Sequence, residues 1–363
     1  MRVLLQRSIR AGMAPGGVAA WGRPGIGLEF VVAGNASEAP EVTPMELAAW
    51  FDLASLTKPL VTTTLILLAL RSRVLELETR VGHVLIETRG TDIADLSVFS
   101  LLTHTSGLPS WLPLYCLAEG NPEALPRRLS SVELEVDQGT RVIYSCVGFV
   151  ILGLMLERTA GKPLAVLFED EVAGPLRLEN ELRFSPDLEG RPLVGSAARA
   201  TAEERLVREA GQDRSFLPEI GAGLPDDGNA RFLGGAAGNA GLFGTARGVS
   251  TLAAEYLPGG GNLLTAEEAQ LATIGHTSGL EQQRGLGWQL GATPGCSAGP
   301  ALPLSAFGHT GFTGVSVWVD PVKRTTYSLL CNRHHPGHRE TDLHPLRRRF
   351  HALAHEAEAT VVA

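Results

Sequence analysis

Only four cysteines occur in 363 residues, and no two form a Cys-x-x-Cys pair. That supply builds neither a disulfide framework nor a zinc site, so buried free thiols are the expected state. Basic residues are also few: 31 Lys and Arg stand against 39 Asp and Glu, a formal net charge of −8 without long blocks of one sign. Nucleic-acid binding needs a basic face, so nucleic acid is excluded as a partner. Long apolar runs are missing as well. The longest, Leu65–Leu70, is preceded by Thr62-Thr63-Thr64 and closed by Arg71 and Arg73, well short of the ~20 residues a transmembrane span needs. The N-terminal MRVLLQRSIRAGMAPGGVAAWG holds no apolar core of signal-peptide length before Gly12 and Pro15 break it. The expectation is a cytoplasmic protein, periplasmic or secreted if an export signal was removed.

What is present suits a large core. Hydrophobic residues make up 44% and charged residues 19%, and the length fits one large domain or two packed ones. Two β-like runs, Gly17–Trp21 and Leu28–Val32, are separated by Gly22-Arg23-Pro24-Gly25, a hairpin signal. Residues 45 to about 180 read mostly as helices, with Leu60–Leu77 as one and Ser145–Thr159 as another, stopped by Ala160-Gly161-Lys162-Pro163. The stretch Gly190–Gly248, rich in Gly, Ala, Pro and Asp, reads as a long irregular connection. Strands return in the last third. Val315, Val317 and Val319 alternate onto one face, Asp320-Pro321-Val322-Lys323 turns, and Thr326–Cys331 runs back. A last amphipathic helix, about Leu343 to Glu358, starts with Arg347-Arg348-Arg349. Strands at both ends with helices between them predict a sheet domain from 1–45 and 245–363, with a mostly helical domain, 46–244, inserted. No internal repeat is seen.

One short stretch combines chemistry that a surface cap does not explain: Phe51-Asp52-Leu53-Ala54-Ser55-Leu56-Thr57-Lys58-Pro59. Residues three apart on a helix lie about 60° apart around its axis, so Ser55 and Lys58 share a face. Pro59 lacks an N–H and clashes with the carbonyl four residues back, that of Ser55, so a helix must begin close to Ser55. There, free N–H groups and the positive dipole end favour developing negative charge. A serine hydroxyl becomes a nucleophile when a neighbouring base takes its proton, and a lysine can serve if burial or another cation lowers its pKa. The motif alone is short, and an N-cap serine with a snorkelling lysine fits it too.

Other stretches add to the case. Tyr144-Ser145 precedes an apolar helix, where a tyrosine is either a core aromatic with a satisfied hydroxyl or a site residue. In Gly308-His309-Thr310-Gly311-Phe312-Thr313-Gly314, small residues let the backbone approach a ligand closely. Leu101–Pro109 is a polar turn whose His104 and Ser106 read as turn-stabilising hydrogen bonders. Rival chemistries are weaker. The spacing of His334, His335, His338 and His344 matches no zinc motif, and a solvated loop after the last strand is expected. Gly234–Gly244 lacks a Walker lysine and reads as a loop near the cleft. No Gly-x-Ser-x-Gly is expected anywhere in the chain, which rules out an α/β-hydrolase nucleophile elbow as a rival.

Taken in order, these stretches resemble the serine β-lactamase and penicillin-binding-protein superfamily, and within it the group of class C β-lactamases, D-alanyl-D-alanine carboxypeptidases and carboxylesterases of the same fold. Gly12–Ala20 resembles the N-terminal strand entry, Phe51–Pro59 the Ser-x-x-Lys segment and Leu101–Pro109 the Leu-Leu-x-His-Thr-Ser-Gly-Leu turn. Tyr144-Ser145 is similar to the Tyr-x-Asn segment, Gly308–Gly311 to the Lys/His-Thr-Gly strand, and Trp318–Pro321 with Asn332-Arg333 to the hairpin that follows. The resemblance implies an α+β, β-lactamase/transpeptidase-like fold: a mainly antiparallel sheet flanked by helices, a second mostly helical domain, and the active site between them. It implies Ser55 as the acylated nucleophile, with Lys58 and Tyr144 as a proton-transfer network in which the base stays unassigned because the pair titrates as a unit. The N–H groups of Ser55 and Phe312 would form the oxyanion hole, and His309, Thr310, Gly311 and Cys146 would contact substrate. No metal or organic cofactor is implied.

Two positions depart from the commonest pattern. Cys146 stands where the tyrosine motif usually ends in Asn, and a thiol cannot copy an amide that both donates and accepts. His309 replaces lysine, and a mostly neutral imidazole attracts a carboxylate less than a fixed ammonium does. Both favour a small ester as substrate. β-Lactamase or D-alanyl-D-alanine carboxypeptidase activity is the alternative, and a slowly acylating sensor or scaffold the non-enzymatic one.

Overall fold

The structure is a computed structural model that describes residues 1–39, 41–184, 193–194, 207, 223–335 and 341–361. Among the described residues, ten strands form two sheets. The larger joins β1 (Gly16–Arg23), β2 (Gly27–Ser37) and β3 (Thr43–Pro44) to β7 (Gln289–Leu290), β8 (Phe307–Thr310), β9 (Ser316–Asp320) and β10 (Thr325–Cys331). Its order is β3-β2-β1-β10-β9-β8-β7, and every pairing is antiparallel. Strands from both ends of the chain therefore meet in the middle, at β1 and β10. The smaller sheet, β4 (Phe51–Asp52), β6 (Leu242–Gly244) and β5 (Leu182–Phe184), delivers the chain directly to Ser55.

Both faces of the large sheet are covered, which accounts for strands that are apolar at successive positions. Ala19, Trp21, Trp318, Tyr327 and Leu329 point to a layer formed with α1 (Arg2–Arg10) and the last helix, which contributes Leu346, Phe350 and Ala354 at helical spacing. Val18, Ala20, Val317, Val319 and Leu330 point the other way, into the main core. His309 pairs with Val317, and residues opposite each other across a ladder share a face. The period of two thus turns His309 toward the main core and Gly308 toward the layer of α1 and the last helix.

Four more helices matter for the site: α2 (Thr64–Arg71), α3 (Cys146–Ala160), α4 (Ala246–Ala254) and α5 (His344–Val361). In α3 the Ser145 hydroxyl accepts from Gly148 N–H at 3.1 Å, and Gly161 ends the helix at φ 65°. A cap of this kind contributes about 1 kcal/mol. Gly153 of α3 lies against Gly238, where an added Cβ would stand 2.8 Å from the Gly238 nitrogen. That close approach presses the glycine-rich run onto the helices carrying the polar groups of the cleft.

Several boundaries differ from expectation. A single helix over Leu60–Leu77 does not form: Lys58–Thr63 is a widened, π-type turn, and α2 ends at Arg71. Pro59 offers no N–H and crowds the carbonyl of Ser55, so the first turn widens rather than closing as an α-helix. Arg73, at φ 56°, then turns the chain away. Within Gly190–Gly248, positions 190–192, 195–206 and 208–222 lie outside the described residues. Its described part is not wholly irregular, because Gly228–Phe232 is helical, capped by the Asp227 carboxylate on Ala230 N–H at 2.8 Å, and Leu242–Gly244 is β6. The last helix starts one residue later and ends three residues later than expected. Among the described residues no helix is long and apolar enough to cross a membrane.

Candidate active site

The serine turn is tied down from below. Asp52, at the end of β4, accepts from Ala54 N–H on one carboxylate oxygen and from Asp226 N–H on the other, at 2.8 and 2.7 Å. Thr57 donates to the Ala54 carbonyl at 2.6 Å. Ala54 is held at φ 44°, a left-handed conformation that costs an alanine energy and persists only where its surroundings enforce it. Ser55 sits in the 3₁₀ turn that follows, Ala54–Leu56, where first-turn N–H groups lack intrahelical acceptors.

Lys58 is fully buried. Its Nζ donates to Ser55 Oγ at 3.0 Å, to the Asn239 carbonyl at 3.0 Å and to Cys146 Sγ at 3.4 Å. The ammonium also lies 4.9 Å from the centre of the Tyr144 ring, and Lys58 and Ser55 both favour ionisation of the Tyr144 hydroxyl against its burial. The glycine-rich run thus supplies, through the Asn239 carbonyl, the firm acceptor that the thiol does not. Asn239 itself is anchored by its amide on Asp227 at 3.0 Å. No carboxylate pairs with Lys58 among the described residues. Burial pushes its pKa down, but Cys146 and Tyr144 push it back above the ordinary lysine value. Burial also raises the Tyr144 hydroxyl and the Cys146 thiol. At neutral pH the trio therefore holds an ammonium with both partners protonated.

The opposite wall is the segment after β8. His309 is buried, and its Nδ1 lies 2.9 Å from the Thr310 carbonyl. A carbonyl only accepts, so the proton is on Nδ1 and Nε2 is free to accept. The Phe312 loop is fixed by three contacts: Thr313 Oγ1 donates to the Asp52 carbonyl at 2.8 Å, Arg347 donates to the Val315 carbonyl at 3.0 Å, and Arg333 donates to the Phe312 carbonyl. Phe312 itself is 39% exposed and meets His334 edge-on at 4.5 Å.

From below, Tyr256 donates to the Pro59 carbonyl at 3.1 Å and packs edge-to-face on Trp288 at 5.0 Å. The widened turn is thus pinned to the core.

Some of these residues carry no sequence signal. Arg284 is buried, has no carboxylate partner among the described residues, and stands 5.6 Å from the Tyr144 ring centre. Burial pushes its guanidinium down to about 10. Only its position relative to Tyr144, set by the fold, marks it. The histidine segment also departs from a solvated loop. His335 is buried and its Nε2 accepts from Glu38 N–H at 2.8 Å, while His334 lies 3.4 Å from Asp226; His338 lies outside the described residues. Gly295-Cys296-Ser297-Ala298-Gly299 does spell Gly-x-Ser-x-Gly, a motif not expected anywhere in the chain. Ser297 is buried in a run of turns and accepts from Trp318 Nε1 at 3.0 Å, so it lacks the strand-to-helix setting of an elbow.

Burial of titratable groups makes stability depend on pH. His104 and His309 are held well below the ordinary imidazole value, by burial first and then by Arg284 and Lys58. Burial pushes His351 down to about 4. For these three, the folded state is favoured above the unfolded pKa of 6.5, and the advantage is lost as pH falls. Asp52 has the opposite sign: burial and Asp226 raise it from 3.8 to about 7, so its contribution is present at low pH and lost as pH rises toward 7. At pH 5 the unfolded chain binds roughly two more protons through these groups, three imidazoles outweighing one carboxyl. Urea unfolding is expected to give a lower free energy at pH 5 than at pH 7; equal values would show that the imidazoles are not held neutral.

A family model described as Beta-lactamase matches residues 5–352. The chain belongs to the beta-lactamase family. Among curated relatives, an N-acetylmuramyl-L-alanine amidase of Bacillus subtilis is 28% identical over 256 residues, covering 66% of this chain and 56% of the relative. A putative D-alanyl-D-alanine carboxypeptidase of Escherichia coli is 29% identical over 260 residues, covering 66% and 57%. The matched region thus spans less than two thirds of these relatives. Among solved structures, EstCE1, a hydrolase with promiscuous acyltransferase activity, superposes with a TM-score of 0.73 at 23% identity, covering 96% of this chain and 97% of that one. A class C beta-lactamase in complex with cefoxitin also reaches 0.73, at 19% identity over 98% and 97% of the two chains. The architecture is therefore the β-lactamase/transpeptidase-like fold, and the beta-lactamase family assignment makes the chain a member of a serine hydrolase family.

Proposed function

We propose that the protein hydrolyses small esters through a covalent acyl-enzyme on Ser55. The observation that carries this reading is the 3.0 Å contact between Ser55 Oγ and a fully buried Lys58 that has no carboxylate partner among the described residues. A surface cap with a snorkelling lysine would leave the ammonium in water. The Lys58–Tyr144 unit first gives up one proton to solvent, and Ser55 Oγ then adds to the ester carbonyl carbon as its own proton passes into that unit. The N–H groups of Ser55 and Phe312 receive the oxyanion. Collapse breaks the bond to the leaving oxygen, which takes the proton as it departs as alcohol. Water then attacks the acyl-Ser55 carbonyl, releasing the acid and restoring the hydroxyl. The cleft is read as lying between the sheet unit, 1–45 with 245–363, and the helical unit, 46–244, with His309, Thr310, Gly311 and Cys146 lining it. An ester demands less of the site than an amide does, which suits a neutral His309 and a thiol at Cys146.

A second reading has its own support. Arg284 is a buried cation beside Tyr144 with no carboxylate partner among the described residues, and it could receive a carboxylate-bearing β-lactam or D-alanyl-D-alanine peptide. A panel of p-nitrophenyl esters, nitrocefin and an acylated D-alanyl-D-alanine peptide separates the two. The ester is expected to show the highest kcat/KM, and Arg284→Gln should lower it less than threefold. If nitrocefin or the peptide leads, and Arg284→Gln costs that substrate tenfold or more, the carboxylate reading replaces the ester one. Stable acylation by a β-lactam without turnover of any ester, read by intact mass, would instead make the protein a sensor.

A further inference from the structure

His104 stands outside the Ser55–Lys58–Tyr144 group, yet it grips the segment carrying Tyr144 on both sides. Its carbonyl accepts from Ile143 N–H at 2.9 Å, and its Nδ1 accepts from Ser145 N–H at 3.0 Å. The two donors flank Tyr144 in sequence, so one residue orients the peptides before and after it. The ring itself lies between Tyr144 and Phe149, with centres 4.6 and 5.0 Å away, and the residue is 1% exposed. Its backbone is held at φ 59°, a region where histidine, asparagine and aspartate are the usual non-glycine occupants. Because Nδ1 accepts, the ring proton is on Nε2 and the imidazole is neutral. Burial, Arg284 and Lys58 all oppose a second proton.

The geometry points to His104 as a positioning residue: its Nδ1 acceptor fixes the Ile143–Ser145 backbone so that the Tyr144 hydroxyl meets Ser55 and Lys58. This rests on the acyl-enzyme reading of Ser55. A turn-stabilising role alone would need the backbone bonds only, and any residue tolerant of the left-handed conformation would meet it. The acceptor on the side chain is the feature that reaches Tyr144 from its far side. Displacing a proton-transfer group by about 1 Å can cost on the order of a hundredfold in rate.

The test compares two replacements that separate the ring from the acceptor. His104→Phe keeps a ring against Tyr144 and Phe149 but removes the acceptor; His104→Asn keeps an acceptor and suits the left-handed backbone but loses the ring. With p-nitrophenyl acetate, His104→Phe is expected to lower kcat by roughly 30- to 100-fold with KM within threefold. His104→Asn should return kcat to within threefold of wild type. A wild-type kcat in the phenylalanine variant, or equal losses in both, overturns the proposal. Should the phenylalanine variant fail to fold, the asparagine variant decides: a kcat within threefold supports the role and a tenfold loss overturns it. Ser55→Ala is run beside them. Turnover retained there overturns the acyl-enzyme reading and this one with it; turnover lost there but kept in His104→Phe overturns the positioning role alone.

Discussion

Ser55→Ala is expected to abolish ester turnover, with a loss on the order of 10⁴-fold or more, because removing the nucleophile of a cooperating group costs about as much as removing the whole group. The variant should fold as the wild type does. Ser55 is only half-buried, and the contacts that hold its turn belong to Asp52, Ala54 and Thr57 rather than to its hydroxyl. A fluorophosphonate probe followed by intact-mass measurement should add one adduct to the wild type and none to the variant. Equal turnover by both proteins would remove Ser55 from the chemistry, and an adduct on the variant would place the reactive hydroxyl elsewhere.

Lys58→Met is the second large effect, and here activity and stability should move apart. Turnover is expected to fall by about 10³-fold or more, since general acid–base help of this kind contributes on the order of 10²–10⁴ and the Ser55 hydroxyl also loses its cationic partner. Stability should hold or rise. Cys146 and Tyr144 offset the charge of Lys58 only when they are ionised. At neutral pH the buried ammonium, with no carboxylate beside it among the described residues, carries a desolvation penalty of several kcal/mol, whereas methionine fills a similar shape without it. The opposing cost is the Asn239 carbonyl left short of a donor, about 1–3 kcal/mol. A thermal melt followed by circular dichroism should show a midpoint no lower than wild type. A drop of more than about 5 °C would mean that Lys58 holds the fold together rather than serving the site.

Much of this was legible in the sequence wherever a local rule dominated. The hairpin at Gly22–Gly25, the alternation of Val315, Val317 and Val319, and the Ser145 cap with its Gly161 stop each rest on residues close in the chain, and each lies where its pattern places it. Ser55, Lys58 and Tyr144 were visible because their spacing and order match a family motif. What stayed hidden is what the tertiary fold brings together. The Asn239 carbonyl reaches Lys58 across 181 positions, and a backbone acceptor has no side-chain letter to announce it. Arg284 and Arg347 read as ordinary basic residues until their burial is known. The early end of α2 was missed because Leu75 and Leu77 continue the apolar pattern although the chain has already turned at Arg73.

The widened turn at Lys58–Thr63 has a consequence for rotation about the helix axis. Each residue of an α-helix advances about 100°, and a π-type turn accommodates one residue more than an α turn does. The serine end and α2 are therefore out of phase by about one residue's rotation. α2 keeps Leu65, Ile66 and Leu67 on the core, while Ser55 and Lys58 keep their own direction toward Tyr144. Deleting one residue from Leu60–Thr63 would heal the helix and swing the serine–lysine face about 100° out of the cleft. The irregularity lets one continuous segment serve two directions at once, with its far end anchored in the core and its near end turned toward substrate.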